Sequence, residues 1–177
     1  VFTDDDEVAK RLESIRVHGK GEMKYDNVRI GLNSRLDTIQ AAILSIKLKA
    51  FAKYELTDIN SVAKKYTAKL APLADKIKTP VIPDGYYSSW AQYTIQLEDR
   101  ETRDALQAAL KEAGIPSMVY YPKPMHKQEA FAGQAYDDAK FKNTIKLCDT
   151  VLSLPMHPYL TDEDIKTVCQ FIRKWFK

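Results

Sequence analysis

Cysteine is scarce in this chain, with Cys148 and Cys169 the two among 177 residues. They lie far apart, lack metal-ligand spacing and each sits in an apolar helical pattern. This excludes a disulfide framework and a cysteine-based zinc site, and predicts two buried thiols in a reducing cytoplasm. An excess of charge is missing too: 27 Lys+Arg stand against 24 Asp+Glu, a formal charge of +3. Without a basic block there is no footprint for nucleic acid. No apolar run approaches the roughly 20 residues of a spanning helix, so no membrane partner is predicted. The three histidines, His18, His126 and His157, occupy separate loops. No H-E-x-x-H, C-x-x-C, G-x-S-x-G or phosphate-loop pattern is present, and no self-sufficient catalytic or metal-binding set emerges. The chain also lacks an initiating methionine and a signal-peptide pattern. Val1-Phe2 reads as the tail of a strand entering a capped helix, so the sequence is expected to be a piece of a longer protein.

What is present is a globular composition, 45% hydrophobic and 29% charged, without repeats or low complexity. Thr3 with Asp6 predicts a capping box opening a first helix, whose stripe is Val8, Leu12 and Ile15. A long loop follows, "HGKGEMKYDNVRIGLN" at 18–33, carrying three of the six glycines. Ser34 with Asp37 predicts a second capping box, and Leu36, Ile39, Ile43 and Ile46 recur at helical spacing. Asn33 and Arg35 then stand where a helix N-terminus favours a bound anion. The helical pattern breaks near 48–53 and resumes with Ile59, Val62, Ala63, Tyr66 and Leu70. Pro72 and "IKTPVIPDGYYSS" end it.

The remainder alternates. Residues 90–97, 117–121 and 151–155 read as strands. Asp99 opens a helix that Gly114 and Pro116 stop, 142–150 reads as a further helix, and Thr161 with Asp164 caps the last. The fold class predicted is α/β, or α+β for the small domain: a small, mostly antiparallel sheet covered by helices and preceded by long helices. Domains are expected at 1–50 and 51–177.

Two loop regions carry polar chemistry. His18, Lys20, Lys24 and Tyr25 set cations and flexible backbone near Asn33, which suits either a phosphate-bearing ligand or an ordinary solvated loop. In "VYYPKPMHKQEAF" at 119–131, Tyr120, Tyr121 and His126 form either a polar rim or a strand edge closed by prolines. His157, beside Pro158, reads as a hydrogen-bonded structural histidine.

The run "HGKGEMKYDNVRIGLNSRLDTIQAAIL", with the later "YYPKPMHKQEAF" and "LSLPMHPYLTDEDI", resembles the carboxy-terminal half of the pyridoxal-phosphate (PLP)-dependent sugar aminotransferases of the DegT/DnrJ/StrS type. The resemblance covers essentially the whole chain. It implies that Asn33 reaches across a homodimer interface to the cofactor phosphate of the neighbouring subunit, in a shared active site. It implies substrate contacts at Tyr121, at Tyr120 (where relatives often carry His), at His126, and at Lys20 and Lys24 near the nucleotide diphosphate. The Schiff-base lysine of that family belongs before Val1, so no catalytic residue falls in this chain and the isolated fragment is expected to be inactive and not to hold PLP. Residues 1–50 would complete the large cofactor domain. The complete enzyme would move an amino group from an amino acid such as glutamate to a nucleotide-linked keto-sugar, for polysaccharide or related sugar biosynthesis. The alternatives are a sugar dehydratase of the same superfamily and a non-catalytic anion- or protein-binding module.

Overall fold

The computed structural model describes residues 1–23, 26–128, 131 and 135–177. Two compact units divide the chain, Val1–Ala50 and Phe51–Lys177. The first consists of α1 (Asp6–Ile15), a long loop, and α2 (Thr38–Ala50). Both helices start later than the predicted boxes. At α1 the cap is Asp5, which accepts from the backbone N–H of Glu7 and Val8, while Thr3 Oγ1 takes the Asp5 N–H at 3.2 Å. At α2 the Asp37 carboxylate accepts from Ile39 N at 2.9 Å and Gln40 N at 3.2 Å. A carboxylate caps about as well as a serine hydroxyl and adds a charge that the positive end of the helix attracts. Ser34 is unavailable in any case, because its N–H is donated to Arg16 O at 2.9 Å and holds it in the loop.

The second unit opens with a π turn, Phe51–Glu55, where the helical register shifts, and runs into α3 (Leu56–Leu70). This turn overlaps the break expected near 48–53. α3 buries Ile59, Val62, Ala63, Tyr66 and Leu70, the stripe read from the sequence, and a 3-10 turn at Ala71–Leu73 with Pro72 closes it. Strand β1 (Tyr93–Gln96) is followed by α4 (Arg100–Glu112), capped by Asp99. Next come α5 (Lys142–Thr150), strand β2 (Val151–Leu154) and α6 (Asp162–Trp175), opened by a reciprocal Thr161/Asp164 capping box.

β1 and β2 pair antiparallel, Tyr93 opposite Leu154 and Gln96 opposite Val151. Among the described residues the unit is mostly helical around this two-stranded sheet, so less of it is strand than the pattern predicts. The strand expected at 117–121 is one bridge, Met118 to Ser153, and a second bridge joins Lys78 to Gln96 on the other edge. Pro116 and Pro122 flank the missing strand, and neither has an N–H to extend a ladder. β1 covers Tyr93–Gln96 of the expected 90–97, and Trp90, at φ 49°, lies outside extended backbone.

The core lies between the sheet and α3, α4 and α6. Tyr66, Tyr93, Ile95, Leu106, Leu110, Leu152, Ile165 and Ile172 are fully buried. Tyr66 and Tyr93 stack at 5.0 Å between ring centroids. Each hydroxyl has a partner, Tyr66 donating to Pro155 O at 3.0 Å and Tyr93 sharing a 2.7 Å bond with Thr67 Oγ1, as buried phenols require.

Candidate functional site

In the first unit the loop at 16–37 is stitched, not solvated at random. Val17 bridges Asn33 and Lys20 bridges Asn27. His18 N donates to Leu32 O at 2.9 Å, and Leu32 N to Ile15 O at 2.7 Å. Two glycines make the crossing possible: a Cβ on Gly31 would lie 2.0 Å from Gly19 N, and one on Gly19 would lie 1.7 Å from Arg29 O. The end of α1 grips the same loop, with Ser14 Oγ donating to Lys20 O at 2.6 Å. Asn33 is therefore held by its backbone. Its side chain is exposed, with no hydrogen-bond partner among the described residues.

The anion site predicted at a helix N-terminus beside Asn33 is not formed there. α2 begins at Thr38, five residues further on, and the Asp37 carboxylate takes the Ile39 and Gln40 donors. What Asn33 offers is its own amide on a fixed strand-like backbone.

Lys20 lines a cleft of about 930 Å³ with Lys10, Arg11 and Arg29, facing Glu7, Glu22 and Asp26. Lys10 is paired to Glu7 at 2.8 Å; among the described residues Arg11, Lys20 and Arg29 are the wall's other cations. The sequence reading missed Arg11 and Arg29. Helical spacing was a signal for Arg11, since Glu7, Lys10, Arg11 and Ser14 fall on one face of α1; no local pattern points to Arg29. Lys24 lies outside the described residues.

In the second unit Tyr120 lines a small cleft of about 270 Å³ with Gln92, Met118 and Met156, over the Met118–Ser153 bridge. Tyr121 is exposed and meets Tyr120 edge to face at 5.7 Å. His126 is elsewhere. Its side chain is 7% exposed, with Nε2 3.2 Å from Asp138 Oδ1, and its ring stacks on Phe141 at 4.4 Å. Asp138 also takes Lys127 Nζ at 2.7 Å. The Lys127 bond and then His126 hold the Asp138 carboxyl below its ordinary range. His157 Nδ1 accepts from Tyr159 N at 3.2 Å, a local structural bond. Among the described residues no cluster of three His, Cys, Asp or Glu side chains is arranged to hold a metal ion, and no helix is long and apolar enough to cross a membrane.

The chain as a whole has matches among known proteins. Residues 1–173 match the DegT/DnrJ/EryC1/StrS aminotransferase family. The chain belongs to this family. It is similar to the UDP-2-acetamido-2-deoxy-3-oxo-D-glucuronate aminotransferase of Pseudomonas aeruginosa, 43% identical over 169 residues that make up 96% of this chain and 44% of the relative. A DegT DnrJ EryC1 StrS aminotransferase from Brucella abortus, known from a crystal structure, superposes with a TM-score of 0.84 at 45% identity, covering 98% of this chain and 45% of that one. The putative sugar aminotransferase Spr1654 of Streptococcus pneumoniae, solved in a PLP-form, shares the fold with a TM-score of 0.83 at 23% identity, over 97% of this chain and 44% of its own. The family member described here thus spans less than half the length of these relatives. Its Asn33 fits the phosphate of PLP: an unpaired primary amide on an immobilised backbone can donate to a phosphate oxygen with little further ordering.

Proposed function

We propose that this chain is the carboxy-terminal part of a PLP-dependent aminotransferase that transfers an amino group from an amino acid, glutamate, to a nucleotide-linked keto-sugar in the cytoplasm. The observation that carries the reading is the exposed, unpaired Asn33 side chain on the stitched loop at 16–37. Residues 1–50 belong with the large cofactor domain, and 51–177 form the small domain. Bound PLP supplies the electron-withdrawing ring through which the amino group is carried. The protein's own residues bind and orient. Asn33 holds the phosphate of the cofactor in the neighbouring subunit of a homodimer, and Lys20, with Lys24, meets the nucleotide diphosphate. Tyr120 and Tyr121 bound the sugar, and His126, which lies outside their cleft, supports that rim and does not touch the substrate. α2 supports the dimer: Ile39, Ile43, Leu44, Ile46 and Leu48 are all more than half exposed, more apolar surface than a free monomer ordinarily presents.

The test uses the complete protein. Asn33→Ala removes one amide donor from a charged group, a loss of roughly 1.5–3 kcal/mol, so PLP affinity should fall about ten- to a hundredfold while circular dichroism is unchanged. Mixed with an inactive variant lacking the upstream lysine, an inactive Asn33→Ala/Tyr121→Ala protein should regain activity, because one site per dimer is then assembled from intact parts. Unaltered PLP affinity, or no recovery despite proven subunit exchange, rejects the role assigned to Asn33.

A further inference from the structure

The segment around Tyr120 and Tyr121 is secured at both ends, and the downstream fastening is unusual. Upstream, Met118 exchanges both backbone bonds with Ser153 of β2, at 3.1 and 2.8 Å. Downstream, Pro122 and Pro124 fix two of the next three φ angles and so stiffen the exit. Gln128 Nε2 ties back to Lys123 O at 3.3 Å, and Met125–Lys127 closes as a 3-10 turn. That turn delivers His126 into a nest outside the tyrosine cleft. Phe141 stacks on the ring at a 22° interplanar angle, and Tyr136 meets it edge-on at 5.9 Å. Asp138 reaches both His126 Nε2 and Lys127 Nζ. Asp138 and Phe141 form the turn Asp138–Phe141, which runs directly into α5, anchored in turn by buried Cys148 and Thr150.

Resting on the aminotransferase reading, we infer that His126 is a positioning residue: it latches the 122–128 segment to the Asp138–Phe141 turn and thereby fixes the Tyr120–Tyr121 rim against which the sugar binds. The geometry favours a latch over a substrate contact. The side chain is 7% exposed and its ring face is covered by Phe141, so a direct contact would require the nest to open. Tyr121, five residues earlier, is 70% exposed and free to meet a ligand. Asp138 is the pivot of the device, because one carboxylate restrains two consecutive side chains of the turn. Aromatic stacking adds a contact that an amide or carboxylate at 126 would lack.

The latch is tested in the complete protein by amide hydrogen exchange and steady-state kinetics on His126→Ala, His126→Gln, Asp138→Asn and the His126→Ala/Asp138→Asn double variant. Exchange in the 117–128 peptide should rise at least about tenfold in each alanine or asparagine variant and no further in the double variant, with α3 and α6 unaltered. His126→Gln, which keeps a donor but loses the stacking, should fall between. With the UDP-linked 3-oxo sugar of the Pseudomonas relative and L-glutamate as probes, KM for the sugar should rise in both Asp138→Asn and His126→Ala, with kcat much less affected. Unchanged exchange at 117–128, or exchange that rises equally in α3 and α6, overturns the latch. A KM that rises in His126→Ala and not in Asp138→Asn makes His126 a direct contact and overturns it too. If the wild-type protein turns over neither probe, the aminotransferase reading fails separately while the exchange result still decides the latch.

Discussion

Cys169 illustrates how much of a single residue's chemistry is set by its surroundings. It sits on the buried stripe of α6, 1% exposed, and burial pushes its thiol up to about 11. A thiolate is the attacking species in alkylation, so a neutral, enclosed thiol reacts slowly. At pH 8 Cys169 should resist a thiol reagent in the native protein and react fully once the chain is unfolded by guanidinium. Native labelling at the rate of a free thiol would contradict the packing of α6. Arg103 is a second residue whose setting decides its role. Buried beneath the α4–α5 contact, it donates to Cys148 O at 3.1 Å and Val151 O at 3.3 Å and pairs with Asp104. Its guanidinium thus satisfies backbone carbonyls at the end of α5.

At the level of elements, the last helix and the second one make an instructive pair. Thr161 and Asp164 form the box their spacing predicts: Thr161 N donates to Asp164 Oδ2 at 2.9 Å, and Asp164 N donates to Thr161 Oγ1 at 3.2 Å. Thr161→Ala leaves the Asp164 N–H without its acceptor and should destabilise the protein by about 1 kcal/mol. That corresponds to a drop in Tm of about 3–5 °C for a unit of this size, measurable by thermal denaturation. An unaltered Tm would show that water replaces the hydroxyl without loss. Ser34 and Asp37 have similar spacing and form no such box, because the Ser34 N–H is committed to Arg16 O. Local pattern could not distinguish the two cases, since the competing partner is 18 positions away in sequence. The stripe of α3 was legible because every member faces the same core, whereas the strand at 117–121 depended on prolines at both ends and on a partner strand more than 30 residues downstream.

For the molecule as a whole, the buried phenols and thiol set the alkaline limit. Burial raises Tyr66 and Tyr93 above their ordinary range, and Cys169 to about 11. A group that loses its proton more readily when unfolded makes stability fall as pH climbs. The neutral-state contribution is complete below the unfolded values, about 8.5 for Cys and 10 for Tyr, and is lost progressively above them. On the acid side the signs reverse. Asp162, held down by Lys65, and Asp164, held down by Thr161, contribute above the ordinary carboxylate range and lose that contribution as pH falls through it. Urea midpoints should therefore be flat from about pH 5 to 8 and decline on both sides, more steeply on the alkaline side in wild type than in Tyr66→Phe/Cys169→Ala. Equal alkaline slopes in the two proteins would remove these groups as the cause.

The sequence by itself determined the stripe that packs α3, the caps of α4 and α6 and the family, because each rests on short-range periodicity or on a motif written in consecutive residues. Only the tertiary structure decided that Gly19 and Gly31 let two backbone segments cross and pin Asn33. It alone decided that Asp37 closes the N-terminus of α2 against an anion, that Arg29 joins the wall around Lys20, and that His126 faces Asp138 and Phe141 and not the tyrosine cleft. Each of those facts is a contact between residues roughly ten or more positions apart, or a competition between two partners for one donor. Neither leaves a periodic trace in the chain, since the winner is fixed by which groups folding brings within hydrogen-bonding distance.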